Sequence, residues 1–162
     1  AIDYRKALGL LLPIAKAVHD VHRLGLVHRD ISPDNVFLLD GGGAKLLDFG
    51  AARHYVGEAT GNLTVVLKRG YAPPEQYGSE SRQGPWTDVY ALAATLYCAI
   101  TGRPPPECNQ RWLEDTLVRP SALGVAIPPA VENALLAGLA LKWEERPRDM
   151  KTFLQGFNKA LL

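Results

Sequence analysis

Three oxygen-bearing side chains occur at spacings that chemistry can use: Asp30 in His28-Arg29-Asp30, Asn35 five residues later, and Asp48 at the head of Asp48-Phe49-Gly50. Carboxylate and amide oxygens are hard donors that hold divalent cations such as Mg²⁺. A carboxylate within reach of a hydroxyl can also accept its proton. Asp and Asn are equally common in turns and caps, so either triplet alone carries little. Both in this order, each beside an element able to hold it, form a pattern that chance explains poorly.

The elements that must position them follow from periodicity. From Tyr4 to Leu24, Leu8, Leu11, Leu12, Ala15, Val18, Val21 and Leu24 recur at steps of three and four, one apolar stripe along a helix that Gly25 ends. Pro13 lies inside that stripe, so the helix either begins there or bends there; a single bent helix is expected. Leu26-Val27 comes next, and then Val36–Leu39 and Ala44–Leu47, joined by Asp40-Gly41-Gly42-Gly43 as a β-hairpin. Residues 51–85 carry no sustained period and read as a long surface loop. Trp86–Thr101 is apolar on nearly every side, with Thr87 or Asp88 at its start and Gly102 past its end, and so belongs at the centre. Shorter helices are expected near 109–117, 129–141 and 149–161, with Trp112 and Trp143 packing on helices. The fold class is mainly α with a small β-hairpin element.

Composition narrows the partners. The chain has 162 residues, a length that suits one domain, and 18 Lys and Arg against 17 Asp and Glu leave no broad cationic surface for nucleic acid. Cys98 and Cys108 lack the spacing of a zinc site or a disulfide framework, which suits a reducing cytoplasm. Val89–Gly102 is the longest nearly uncharged stretch and falls short of the roughly 20 residues that cross a bilayer, so no membrane segment is expected.

His28-Arg29-Asp30 with Asn35, followed by Asp48-Phe49-Gly50, is a signature pair of protein kinases. With HRDISPDN, LDFGAAR, GYAPPEQY and GPWTDVYAL, the chain resembles the large, C-terminal lobe of the eukaryotic-like serine/threonine protein kinases of bacteria. The resemblance covers essentially the whole chain and implies a protein-kinase-like fold with the C-lobe only: a catalytic loop at 28–35, an activation segment at 48–75, the central helix at 86–101 and C-terminal helices over 129–161. It implies ATP and Mg²⁺ as cofactors and a protein bearing Ser or Thr as substrate. Asp30 matches the base that orients the substrate hydroxyl, and Asn35 and Asp48 match the Mg²⁺ ligands. His28 matches a structural ring behind the loop, and Phe49 and Gly50 complete the second triplet. Glu75, ending a Pro-Pro-Glu variant of the Ala-Pro-Glu motif, and Arg146 match a buried ion pair. Asp88 matches the acceptor of backbone donors from the catalytic loop.

Two positions around Asp30 depart from the family pattern. The usual catalytic-loop lysine is Ser32, and the usual activation-segment threonine is Lys68. One reading is an exchange of places, with Lys68 delivering the cation and Ser32 the hydroxyl; the other is a lost lysine and a solvated loop cation. Arg29 and Arg53 suggest a cationic pocket for a phosphorylated loop residue, Thr64 first and Thr60 second. The Gly-rich loop, strand lysine and helix glutamate that complete a kinase are absent from the 162 residues. The resemblance therefore implies a missing N-lobe and a fragment that does not transfer phosphate efficiently alone. Ser32, together with Ala93 where the central-helix motif commonly carries Gly, motivates an alternative, a pseudokinase or regulatory scaffold. A small-molecule phosphotransferase is disfavoured by Arg29, the Pro-Pro-Glu segment and the Glu75 to Arg146 brace. Preference for Ser/Thr over Tyr rests on wording around Pro33 and Gly70-Tyr71.

Overall fold

The computed structural model describes residues 1–49, 52–54, 67–78 and 82–161. Its helices are α1 (Tyr4–Arg23), α2 (Pro85–Thr101), α3 (Cys108–Leu113), α4 (Pro129–Gly138) and α5 (Met150–Leu161). Its strands are β1 (Leu26–Val27), β2 (Val36–Leu38), β3 (Ala44–Leu46) and β4 (Arg53–His54), with 3₁₀ turns at Pro33–Asn35, Pro74–Gln76, Pro120–Leu123 and Trp143–Glu145.

α1 does not begin at Pro13. Asp3 caps it by accepting the Arg5 N–H at 2.9 Å, and the helix runs through the proline to Arg23. Pro13 is exposed, so its ring and missing N–H fall on the face that packing leaves alone. The buried stripe Leu8, Leu11, Ile14, Ala15 and Val18 faces α2, and α4 and α5 close the other side. α2 is apolar all round and buried from Thr87 to Tyr97, the central position its composition requires. It starts at Pro85, one residue earlier than the sequence suggests, because proline is preset for the first helical turn. The Gly84 N–H is taken by the Thr87 hydroxyl at 3.1 Å. Thr87 and Asp88 thus lie inside the helix; the Thr87 hydroxyl closes its first turn and donates onward to Glu75 at 3.1 Å, and the Asp88 side chain is left for other work.

β2 and β3 pair antiparallel with Val36 opposite Leu46, and Gly42 and Gly43 supply the positive φ of the turn. A second antiparallel pair, Leu26 with His54 and Val27 with Arg53, was not foreseen in the irregular 51–85 stretch. α3 is six residues long and ends at Leu113, where the sequence suggested 117. Trp112 on it is 58% exposed and does not pack, whereas Trp143 stacks on Trp86 at 4.9 Å.

At the contact of α2, α4 and α5, a Cβ on Gly138 would stand 2.7 Å from the Ala93 Cβ and 2.7 Å from the Phe153 ring. Gly138→Ala should therefore destabilise the full-length protein by about 1–3 kcal/mol in urea unfolding, overpacking outweighing the gain in helix propensity.

Candidate active site

The site is built around one carboxylate on the central helix. Asp88 is wholly buried, and its oxygens accept the backbone N–H of His28 at 2.8 Å, that of Arg29 at 2.9 Å and the His22 ring Nε2–H at 2.7 Å. Arg29 has φ +72°, a conformation that costs a non-glycine residue about a kcal/mol or more unless its surroundings impose it. Asp88 imposes it from the N–H side, and Gln76 donates to the Arg29 carbonyl at 3.0 Å from the other.

His28 lies behind the loop, edge-on to Phe49 with ring centres 4.7 Å apart. Its Nδ1 accepts the Asp30 N–H at 3.2 Å, which places the ring proton on Nε2. Burial pushes its pKa below the usual histidine value, against the pull of Asp88. The neutral ring can therefore serve as an acceptor at neutral pH.

Asp30 comes next, half-buried. Asn35 donates its amide N–H to the Asp30 carbonyl at 2.6 Å and to Oδ2 at 2.9 Å, which fixes the carboxylate and commits the amide nitrogen. The Asn35 side-chain oxygen is thereby assigned to the opposite side of the amide. The Leu47 N–H bonds to the Asn35 carbonyl at 2.8 Å, tying the chain just before Asp48 to the loop that carries Asp30. Asp48 is exposed, with φ +58°. Among the described residues no three His, Cys, Asp or Glu side chains gather into a metal cluster. Two hard protein oxygens with phosphate and water oxygens completing the shell is the coordination Mg²⁺ ordinarily adopts, so the donor set fits that ion.

Lys68 reaches this loop from the segment before Glu75. Its Nζ donates to the Ser32 hydroxyl at 2.8 Å and lies 3.4 Å from Asp30 Oδ1 and 4.0 Å from Asp34 Oδ2. Ser32 and Lys68, the two departures around Asp30, are thus in contact with each other.

Glu75 and Arg146 form a buried two-pronged pair at 2.7 and 3.3 Å. Arg146 also donates to the carbonyls of Ala140, Leu141 and Trp86, and Glu75 accepts the Thr87 hydroxyl at 3.1 Å. Gly50, Thr60, Thr64 and the Arg53 side chain lie outside the described residues, and with them the suggested phosphate pocket.

Sequence reasoning missed His22, Gln76 and the buried Arg111, which donates to the Tyr90 hydroxyl, the Leu139 carbonyl and Asp115. His22 stands four residues after Val18 on the apolar stripe, the one signal that it points inward. Burial pushes the Cys108 thiol up to about 11, so it stays protonated and inert.

Residues 2–135 match the protein kinase domain family. The chain belongs to that family. It is 39% identical over 101 residues to the serine/threonine-protein kinase PknK of Mycobacterium tuberculosis, an alignment covering 62% of this chain and 9% of PknK. To PknE of the same organism it is 32% identical over 149 residues, 87% of this chain and 26% of PknE. The solved chain described as "PpkA-294 apo form" superposes with TM-score 0.80 at 38% identity, over 96% of this chain and 54% of that one. The mainly helical kinase fold expected from the motifs is thus present. No helix among the described residues is long and apolar enough to cross a membrane.

Two outcomes follow from this geometry. Arg146→Met removes the guanidinium that pairs with the buried Glu75 carboxylate and should cost the full-length protein about 3–5 kcal/mol in urea unfolding. Because His28 is neutral when folded but titrates near 6.5 when unfolded, its contribution is complete above that pH and declines as pH falls below it. The unfolding free energy of wild type should therefore drop more steeply than that of His28→Gln between pH 7 and pH 5.5.

Proposed function

We propose that the protein transfers the γ-phosphoryl group of ATP to Ser or Thr hydroxyls of a protein substrate, with the described residues as the large lobe. The activity belongs to the full-length polypeptide, because the Gly-rich loop and strand lysine needed to grip the nucleotide are not among these 162 residues. The observation that carries the reading is the Asp30 carboxylate, held by Asn35 in a loop whose strained backbone is fastened by the buried Asp88.

Phosphoryl transfer needs positioning and charge neutralisation more than covalent chemistry from the protein. Asp30 supplies the positioning: fixed on one oxygen by Asn35, it accepts the substrate hydroxyl's proton and aims the oxygen at the γ-phosphorus. Asn35 and Asp48 would hold Mg²⁺, which supplies neutralisation of the phosphate charge when bound. Asn35 would then have two duties, its nitrogen on Asp30 and its oxygen as a metal ligand, and would couple hydroxyl alignment to phosphate alignment. The serine/threonine kinases among its relatives support the substrate class.

Transfer of labelled phosphate from ATP to a generic basic protein tests the reading. The full-length protein should transfer, and Asp30→Ala should lose about 100-fold or more in kcat. Binding of Mg-ATP with no transfer by wild type would instead mark a regulatory pseudokinase.

A further inference from the structure

We propose that Lys68 is a catalytic residue: its ammonium, carried by the activation segment, stabilises charge on the phosphoryl group in transit, and Ser32 is the positioning residue that holds it there. This rests on the proposed phosphoryl transfer and names a residue for it.

A solvated loop lysine keeps its side-chain freedom, because exposed ion pairs return little for giving it up. Lys68 has given it up. Its side chain is 30% exposed, and its amine is engaged by residues 36 and 38 positions earlier in the chain, Ser32 and Asp30. Ser32 is wholly buried, and its hydroxyl accepts the amine at 2.8 Å. A buried hydroxyl at the floor of the loop thus sets where the ammonium stops, 3.4 Å from the carboxylate assigned to the substrate hydroxyl. A cation touching that carboxylate adjoins the phosphorus that the hydroxyl attacks. The amine donates to Ser32 and is ion-paired with Asp30 at 3.4 Å and, more loosely, with the exposed Asp34 at 4.0 Å, so of its three donors the Ser32 hydrogen bond commits one and another can turn to a phosphoryl oxygen.

In the step itself, the substrate oxygen bonds to the γ-phosphorus while the bond from that phosphorus to the ADP oxygen breaks. The hydroxyl proton passes to Asp30, and the bond electrons leave with ADP. The equatorial phosphoryl oxygens carry the spread charge, where a preorganised ammonium lowers the barrier.

The backbone that delivers Lys68 is itself fixed. Its carbonyl accepts the N–H groups of Tyr71 and Ala72, both at 3.1 Å. Gly70 turns at φ +84° against Pro104 and Pro105, where a Cβ would meet the Pro105 carbonyl oxygen at 2.8 Å.

The test uses the full-length kinase with a peptide substrate. Lys68→Ala and the shape-retaining Lys68→Met should each lower kcat by about 100-fold. Both should also lose affinity for Mg-ADP with aluminium fluoride, a mimic of the phosphoryl in transit, by a similar factor while binding Mg-ADP as wild type does. On the unsubstituted enzyme, acetylation mapped by mass spectrometry should find Lys68 protected by Mg-ADP with aluminium fluoride beyond its protection by Mg-ADP alone. For Ser32→Ala, kcat should fall with KM for ATP unchanged, as expected for a misplaced amine. Wild-type kcat in both Lys68 variants, equal weakening of both ligands, or no added protection of Lys68 would overturn the assignment. Absence of transfer by wild type would instead overturn the kinase reading beneath it.

Discussion

The buried carboxylate of Asp88 is the constraint on which the loop over residues 28–35 depends. A charge with no exposure on a helix that is apolar on every face is tolerable only when its acceptor capacity is filled. Two backbone N–H groups and one imidazole fill it. Both sides gain from the arrangement, since the loop's backbone would otherwise hold unpaired donors and an Arg29 conformation it does not prefer. The central helix thereby converts a need to satisfy its one buried acid into a fixed geometry for residues 28–30.

A second buried charge does the same for the segment before the helix. Glu75 shares its oxygens among Arg146 and Thr87, and all five guanidinium N–H groups of Arg146 find acceptors. Replacement by lysine would keep the charge and lose the fork that reaches Glu75 and three carbonyls at once. Gln76, next to Glu75, then bonds the Arg29 carbonyl. The two anchored regions are therefore fastened to each other as well as to the helices, and Lys68 and Asp30 meet between them.

Much of this was legible in the sequence, for reasons that differ by element. α1 and α2 declared themselves through long periodic or fully apolar runs, and the hairpin through its glycine turn. Asp30, Asn35 and Asp48 stood out because their spacing is unusual for three turn residues. The start of α2 was misplaced by one residue because Thr87 and Asp88 are both good caps: Thr87 does close the first turn, but from inside the helix onto the Gly84 N–H, and the Asp88 oxygens are spent on His22, His28 and Arg29. Pairing of Leu26-Val27 with Arg53-His54 had no local signal, since two-residue strands are too short for a period. The roles of His22 and Gln76 depend on partners 66 and 47 positions away, Asp88 and the Arg29 carbonyl, which no local pattern names. Trp112 shows the opposite error: a large aromatic on a helix suggested packing, and α3 turns Cys108 and Arg111 inward and leaves Trp112 on its outer face.

Placing the cation on one segment and the carboxylate on another has a consequence that a single loop would not carry. With both groups on residues 28–35, their separation would be set by local backbone alone. Here the ammonium arrives 36 positions after its serine, so the charge beside Asp30 exists only while residues 67–78 are docked. Electrostatic stabilisation by a preorganised group is effective because the group is in place before the reaction begins. On the proposed role of Lys68, the docking contacts Glu75 with Arg146 and Gln76 with Arg29 would bear on transfer through the position of its amine, although none of them reaches Lys68 itself.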